Sequence, residues 1–171
     1  MNAREVLLRE ARPSDLEAVS GLFLACWRVS YAGVLPDHVI AMFDDDGARA
    51  LWQRALENPK AGSVGIVAEQ PGRGVVGVIR LGSDPGEPSS GHVFSLYVDP
   101  SAQGLGVGGR LLGEAERRFR DDGRAQATLW VFAANTASLR FYEHHGWHPD
   151  GGQRVEAEYG EPELRLRRSL A

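Results

Sequence analysis

The segment Gln103-Gly104-Leu105-Gly106-Val107-Gly108-Gly109 places four glycines within six residues, between an apolar stretch and an amphipathic one. Glycine costs a helix about 1 kcal/mol relative to alanine, so a cluster of them where a helix begins needs a local cause. Either the backbone turns sharply there, or something approaches it closely. The preceding HVFSLYV reads as a strand. The apolar positions Val107, Leu111, Leu112, Ala115 and Phe119 then recur at helical spacing through about Arg120.

A helix N-terminus carries unpaired N–H groups and about half a positive charge. Glycines around it remove the side chains that would hold a phosphate at a distance, so a diphosphate is the ligand that best explains the composition. Three phosphate-binding patterns compete. A P-loop needs Lys and then Ser or Thr after its last glycine, and here Gly109 and Arg110 follow. A dinucleotide-binding fold needs a parallel βαβ array with an acidic residue ending the next strand. That strand ends in Phe132, among hairpins. The third pattern is Gln or Arg, two residues, Gly, one residue, then Gly or Ala, and Gln103, Gly106 and Gly108 meet it.

Along the rest of the chain, Val6–Ala11 reads as a strand. Ser14 with Glu17 three residues on reads as a capping box for a helix whose apolar face is Leu16, Val19, Leu22, Phe23, Cys26 and Trp27. Pro36 opens a short helical piece, and DDDGARALWQRALENP reads as a further helix ending before Pro59. SVGIVAE and GVVGVIRLG, joined by PGRG, form a hairpin. AQATLWVF is a strand, NTASLRFYEHH a helix closed by Gly146, and RVEAEY with ELRLRRSL a terminal hairpin. The order β-α-α-β-β-β-α-β-α-β-β describes a single α/β domain over residues 1–171. Its sheet is mixed and mostly hairpin-built, and the clear βαβ crossover surrounds the glycine segment.

The formal net charge of −4 with scattered arginines lacks the basic stripe that nucleic-acid binding needs. Cys26 is the single cysteine, so no internal disulfide forms and a reducing, cytoplasmic setting is expected. MNAREVLLRE lacks a signal-peptide core, and no stretch reaches membrane-spanning length.

The run LYVDPSAQGLGVGGRLL resembles the acyl-CoA-binding motif of the GNAT superfamily of N-acyltransferases, as in its small bacterial members. LWVFAANTASLRFYEHHGW is similar to the family's next motif, in the expected order. Trp27, Tyr31, Gly33, Leu35 and Pro36 also match a step found in small members. The resemblance implies a three-layer α-β-α fold whose mostly antiparallel sheet is splayed at the acyl-CoA site. It implies transfer of an acetyl group from acetyl-CoA, with no metal, to a small-molecule or peptide amine by direct attack on the thioester. The protein would be a monomer or homodimer. The backbone of Gln103, Gly104, Leu105, Gly106, Val107, Gly108 and Gly109 would wrap the diphosphate. The strand Leu96-Tyr97-Val98 would pair with the pantetheine arm, and the Val98 N–H would face the thioester oxygen. Asn135 and Ser138 would contact the cofactor, and Tyr142 would protonate the leaving thiolate.

Other readings stay open beside these. Tyr142 could be a packed core tyrosine, and Asn135 a helix N-cap. His92 is either a general base, as an acidic residue near this place in related sequences can be, or a surface histidine beside the polar loop. Trp27 and Tyr31 either pack in the core or wall the acceptor pocket. Asp44, Asp45 and Asp46 either draw in a cationic amine or form a solvated loop, and Arg165, Arg167 and Arg168 read as an exposed edge and its end. His144, His145 and His148 share no helical face, because Gly146 and Pro149 interrupt it, so no metal site is expected. A non-catalytic acyl-CoA sensor and a protein N-terminal or lysine acetyltransferase remain as alternatives.

Overall fold

A computed structural model describes residues 5–171 of the chain. The start of the N-terminal stretch read above, Met1–Arg4, lies outside the described residues. In chain order the elements are β1 (Leu7–Glu10), α1 (Leu16–Ala25), α2 (Asp37–Ile40), α3 (Asp45–Glu57), β2 (Val64–Gln70), β3 (Gly74–Ser83) and β4 (Gly91–Val98). There follow α4 (Val107–Asp121), β5 (Gln126–Phe132), α5 (Thr136–His144), β6 (His148–Val155) and β7 (Pro162–Ser169). The strands form one seven-stranded sheet in the order β1-β2-β3-β4-β5-β7-β6. Every pairing is antiparallel except β4 with β5, the crossover that carries α4. The short α2 is the helical piece expected after Pro36, which the element order above does not count.

Strand residues alternate between two cores, as the pleat requires. Val67 and Val78 face the α1–α3 side, where they pack with Phe23, Trp52 and Phe132. Their neighbours Ile66 and Ile79 face α4 and α5, with Leu111, Leu112, Phe119 and Trp147. This is the three-layer α-β-α arrangement. No helix among the described residues is long and apolar enough to cross a membrane.

The β4–β5 ladder is short. Gly91, His92 and Val93 pair with Ala127, Thr128 and Leu129, and the pairing stops there. Beyond it, Phe94–Val98 and Trp130–Phe132 part, and the sheet splits between them. β3 and β4 stay paired through Val98, with a register shift between Arg80 and Leu81.

Four local expectations are corrected. The turn before α1 is closed by Asp15 rather than by Ser14 with Glu17. The Asp15 carboxylate accepts from the Arg12 N–H at 2.7 Å and pairs with Arg9 at 2.8 Å, while Glu17 pairs with Arg49 at 2.7 Å. The terminal hairpin begins earlier, at His148, and Glu156–Tyr159 belongs to its turn region. Its second strand inserts between β5 and β6, so Arg165 and Arg167 lie inside the sheet rather than on an edge. Both pair with Asp150, at 2.8 and 3.0 Å. The aspartate run is no free loop either, since Asp44 caps α3 by accepting from the Gly47 N–H at 2.7 Å.

Glycine sets how closely α4 docks on the sheet. A Cβ on Gly91 would lie 2.6 Å from the Phe119 ring, whereas one on Gly113, within α4, would meet nothing within 4 Å. Gly91→Ala should therefore overpack the core and cost about 1–3 kcal/mol. Gly113→Ala should stabilise by about 0.5–1 kcal/mol through helix propensity. Denaturant melts of the two variants measure this pair, and equal or reversed effects would contradict the packing described.

Candidate active site at the split of the sheet

Two cavities flank the split. One, of about 450 Å³, lies on the α4–α5 side against the glycine segment. The other, of about 630 Å³, extends over β3, β4 and β5 toward α1 and the β6–β7 turn. Leu96, Asn135, Ser138 and Tyr142 line both, so the cavities meet at the point where β4 and β5 separate.

The four glycines divide by cause. Gly104 and Gly106 have φ of 76° and 84°, a left-handed backbone that only glycine adopts cheaply. A Cβ on Gly104 would point into open space. Gly108 and Gly109 instead permit helix packing. A Cβ would come within 3.2 Å of the Phe141 ring from Gly108 and within 2.8 Å of His145 Nε2 from Gly109.

The first bond of the α4 ladder runs from the Arg110 N–H to the Gly106 carbonyl, at 3.1 Å. The Val107, Gly108 and Gly109 N–H groups precede it and have no intrahelical acceptor. No side chain caps this end and no acidic residue occupies its first turn, which leaves the positive end of the dipole uncompensated. A diphosphate fits this cradle in charge and in donor supply.

Gln103, Gly104, Gly106, Val107, Gly108 and Gly109 line this cavity together with Val98. Leu105 does not line it. Tyr97 does not either: its ring lies on the opposite face of the sheet, edge-on to Phe23 at 5.2 Å. The Gln103 amide donates to the Val98 carbonyl at 3.1 Å and to Ser30 Oγ at 3.0 Å. Cys26 Sγ donates to the same carbonyl at 3.0 Å. These bonds fix the end of β4 against α1 and the glycine turn.

Asn135 caps α5, its Oδ1 accepting from the Ser138 N–H at 3.1 Å, and both residues still face the two cavities. Tyr142 is a core residue at 9% exposure that nonetheless borders the junction. Burial raises its pKa well above the ordinary tyrosine value, so its hydroxyl keeps its proton throughout the neutral range.

The larger cavity has an aromatic wall. Beyond α1 the chain widens into a π-helical turn, Cys26–Ser30, a feature often found at functional sites. The turn sets Trp27 and Tyr31 edge-on at 5.0 Å, and Tyr159 and Phe132 complete the wall, with rings 5.9 and 6.5 Å from Trp27. Trp27 and Tyr31 thus pack and line the cavity at once.

His92 is buried rather than a surface residue. Its Nδ1 is 2.7 Å from Thr128 Oγ1, and the Thr128 hydroxyl donates to Asp84. That direction makes Nδ1 the protonated nitrogen and leaves Nε2 with a free lone pair. Burial lowers the His92 pKa, against the pull of Asp84, so the ring is neutral at neutral pH.

Sequence reasoning missed Arg80, Ser95, Tyr159 and Glu163, all of which line the larger cavity. The signal was an arginine inside the valine-rich strand GVVGVIRLG. His145, which lines the smaller cavity, donates from Nδ1 to the Phe141 carbonyl at 2.7 Å. Among the described residues no cluster of three or more His, Cys, Asp or Glu could hold a metal ion.

This arrangement is that of an acyl-CoA-dependent transferase, and the comparisons agree. The profile of the acetyltransferase (GNAT) family matches residues 17–147. The chain is 30% identical to the uncharacterized N-acetyltransferase YhfO of Bacillus subtilis, over 85% of this chain and 91% of that protein. It is 28% identical to the probable N-acetyltransferase Rv2775 of Mycobacterium tuberculosis, over 88% and 84%. The crystal structure of the PaiA N-acetyltransferase from Thermoplasma acidophilum, in complex with coenzyme A, superposes with a TM-score of 0.75. That match is at 18% identity and covers 96% of this chain and 98% of that one. The chain therefore belongs to the acetyltransferase (GNAT) family of acyl-CoA N-acyltransferases.

Gly106 tests the cradle most simply. Gly106→Glu places a side chain and a negative charge where a diphosphate on this cradle would sit, on a backbone that costs a non-glycine residue about 1–2 kcal/mol. Calorimetry should find acetyl-CoA affinity reduced more than 100-fold, with Gly106→Ala losing distinctly less. Glu binding within threefold of wild type would place the phosphates elsewhere.

Proposed function

We propose that this protein, acting as a single domain, transfers the acetyl group of acetyl-CoA to a primary amine of a small molecule. The observation that carries this reading is the meeting of the two cavities at Leu96 and Tyr142. A donor held by the glycine cradle and an amine held by the aromatic wall reach each other only there. Bound acetyl-CoA supplies an activated thioester carbonyl.

The residues of the chain do the rest. The N–H groups at the start of α4 hold the diphosphate, and Asn135 and Ser138 border the path of the pantetheine arm. The split edge of β4, from Leu96 to Val98, presents backbone groups to that arm as a neighbouring strand would. The Val98 N–H is the donor assigned to the carbonyl oxygen as charge develops on it. Tyr142 holds the proton that the departing sulfur needs.

His92 Nε2 is the base assigned to the amine. It lies about four residues, or about 13 Å of strand, before Leu96, so the proton reaches it through water. A cavity closed by buried Trp27 suits a small acceptor better than a protein surface.

Saturating acetyl-CoA, at about a hundred times its dissociation constant, should stabilise the protein by about 2.7 kcal/mol. For a chain of this length that corresponds to a rise in Tm of about 5–11 °C. An amine panel scored by free-thiol release should then find turnover. Tyr142→Phe keeps the ring and removes one oxygen, so kcat should fall about 10²–10⁴-fold, with acetyl-CoA affinity little changed. An acyl donor with a more acidic thiol should partly rescue it. Retention of more than a third of wild-type kcat, with chemistry rate-limiting, would remove Tyr142 from the acid role.

A further inference from the structure

The walls of the larger cavity carry many charges, and most are paired. Arg154 lies 2.7 Å from Glu163 and 2.8 Å from Glu156, and Arg165 lies 2.8 Å from Asp150. Asp84 accepts from the Thr128 hydroxyl and from the Gly86 and Glu87 N–H groups, at 2.7 and 3.0 Å for the two N–H donors.

Arg80 is different. It rises from β3 into the cavity, partly buried, with its Cζ 5.9 Å from the ring centroids of Trp52 and Phe94. No carboxylate among the described residues pairs with it. Burial lowers its pKa from the usual arginine value, and the offsetting pull comes from the Tyr97 phenol rather than from a carboxylate. A desolvated guanidinium without a counter-ion is unfavourable, and an arriving anion relieves it.

A second uncommitted group stands beside it. Arg80 is directly opposite Ser95 in the β3–β4 ladder, so both side chains project from the same face. Ser95 also lines the cavity, and its Oγ is buried with no hydrogen-bond partner. A buried hydroxyl left without a partner is unusual. Ser95 is followed by Leu96, which borders the junction of the cavities, so a group held here sits near the reacting end. Lys60 adds a further positive charge to the lining.

We propose that the acceptor amine carries a carboxylate, bound by the Arg80 guanidinium and the Ser95 hydroxyl, so that the acceptor is an amino acid. This rests on the acyl-transfer reading above and narrows it. The planar arginine fork matches the two oxygens of a carboxylate, and the hydroxyl supplies a further donor. A polyamine meets repulsion at the same place. A protein lysine brings no carboxylate to it.

The test uses the common α-amino acids, each beside its carboxamide and its decarboxylated amine. Two readouts are taken: the shift in Tm without acetyl-CoA, and thiol release with it. The preferred amino acid should raise Tm, and its kcat/KM should exceed that of its carboxamide about 10–100-fold, the range for a charged hydrogen bond. The carboxamide has the less basic amine, so the chemical step alone would favour it. Arg80→Met should abolish both the Tm shift and the preference, lowering kcat/KM for the amino acid far more than for the decarboxylated amine. Arg80→Lys keeps the charge without the fork and should retain part of both.

Neutral amines accepted as well as amino acids, or Arg80→Met slowing both classes equally, would overturn the carboxylate site and leave acyl transfer standing. Failure of acetyl-CoA to shift the wild-type Tm would instead overturn acyl transfer, while the amino-acid shift still reads the anion site directly.

Discussion

The parallel pairing of β4 with β5 ends after three residue pairs, and the rest of the site follows from that ending. A sheet that stayed closed would bury the β4 edge in its own ladder, and the two cavities would not meet. The parting exposes Leu96 to both sides and brings Tyr142, on α5, to the junction. The same strand end is held from behind by Cys26 and Gln103, which both donate to the Val98 carbonyl. An open edge inside a protein is tolerated only where something pairs with it. In the proposed function an extended ligand arm takes the place of a strand.

The two sides of the split are electrically unlike. On the α4 side, positive potential comes from backbone: a helix start with no cap and no acidic first turn, reached over glycines. On the other side it comes from a side chain, Arg80, set among aromatic rings and without a counter-ion among the described residues. The first suits a diphosphate and the second a single compact anion. Arg154 and Arg165 of the larger cavity are tied to carboxylates and serve mainly to shape its wall.

Local sequence signals carried much of the architecture. The glycine segment, the hairpin of β2 with β3 and the helix closed by Gly146 each have a short-range cause, and a single sequence displays such causes. What it hid is long-range. Gly108 and Gly109 look like Gly104 and Gly106, which adopt a left-handed backbone, yet they are small because Phe141 and His145 on α5 lie against them. The β6–β7 hairpin could be expected, but not that β7 slots between β5 and β6 and turns three surface-looking arginines into sheet residues. His92 stands next to a polar loop in sequence, and its burial depends on Thr128 from β5. Arg80 stood in plain view in a valine-rich strand. Its lack of a partner became visible only when the cross-strand register set it against Ser95.

The central claim is that the donor arm lies along the parted edge of β4 with its phosphates on the start of α4. Residue-resolved amide hydrogen exchange, with and without saturating acetyl-CoA, addresses it directly. The account predicts slowed exchange in two places together, within Leu96–Val98 and at Val107–Gly109, with little change along β6. Protection confined to other surfaces, or at the helix start without the β4 edge, would contradict it.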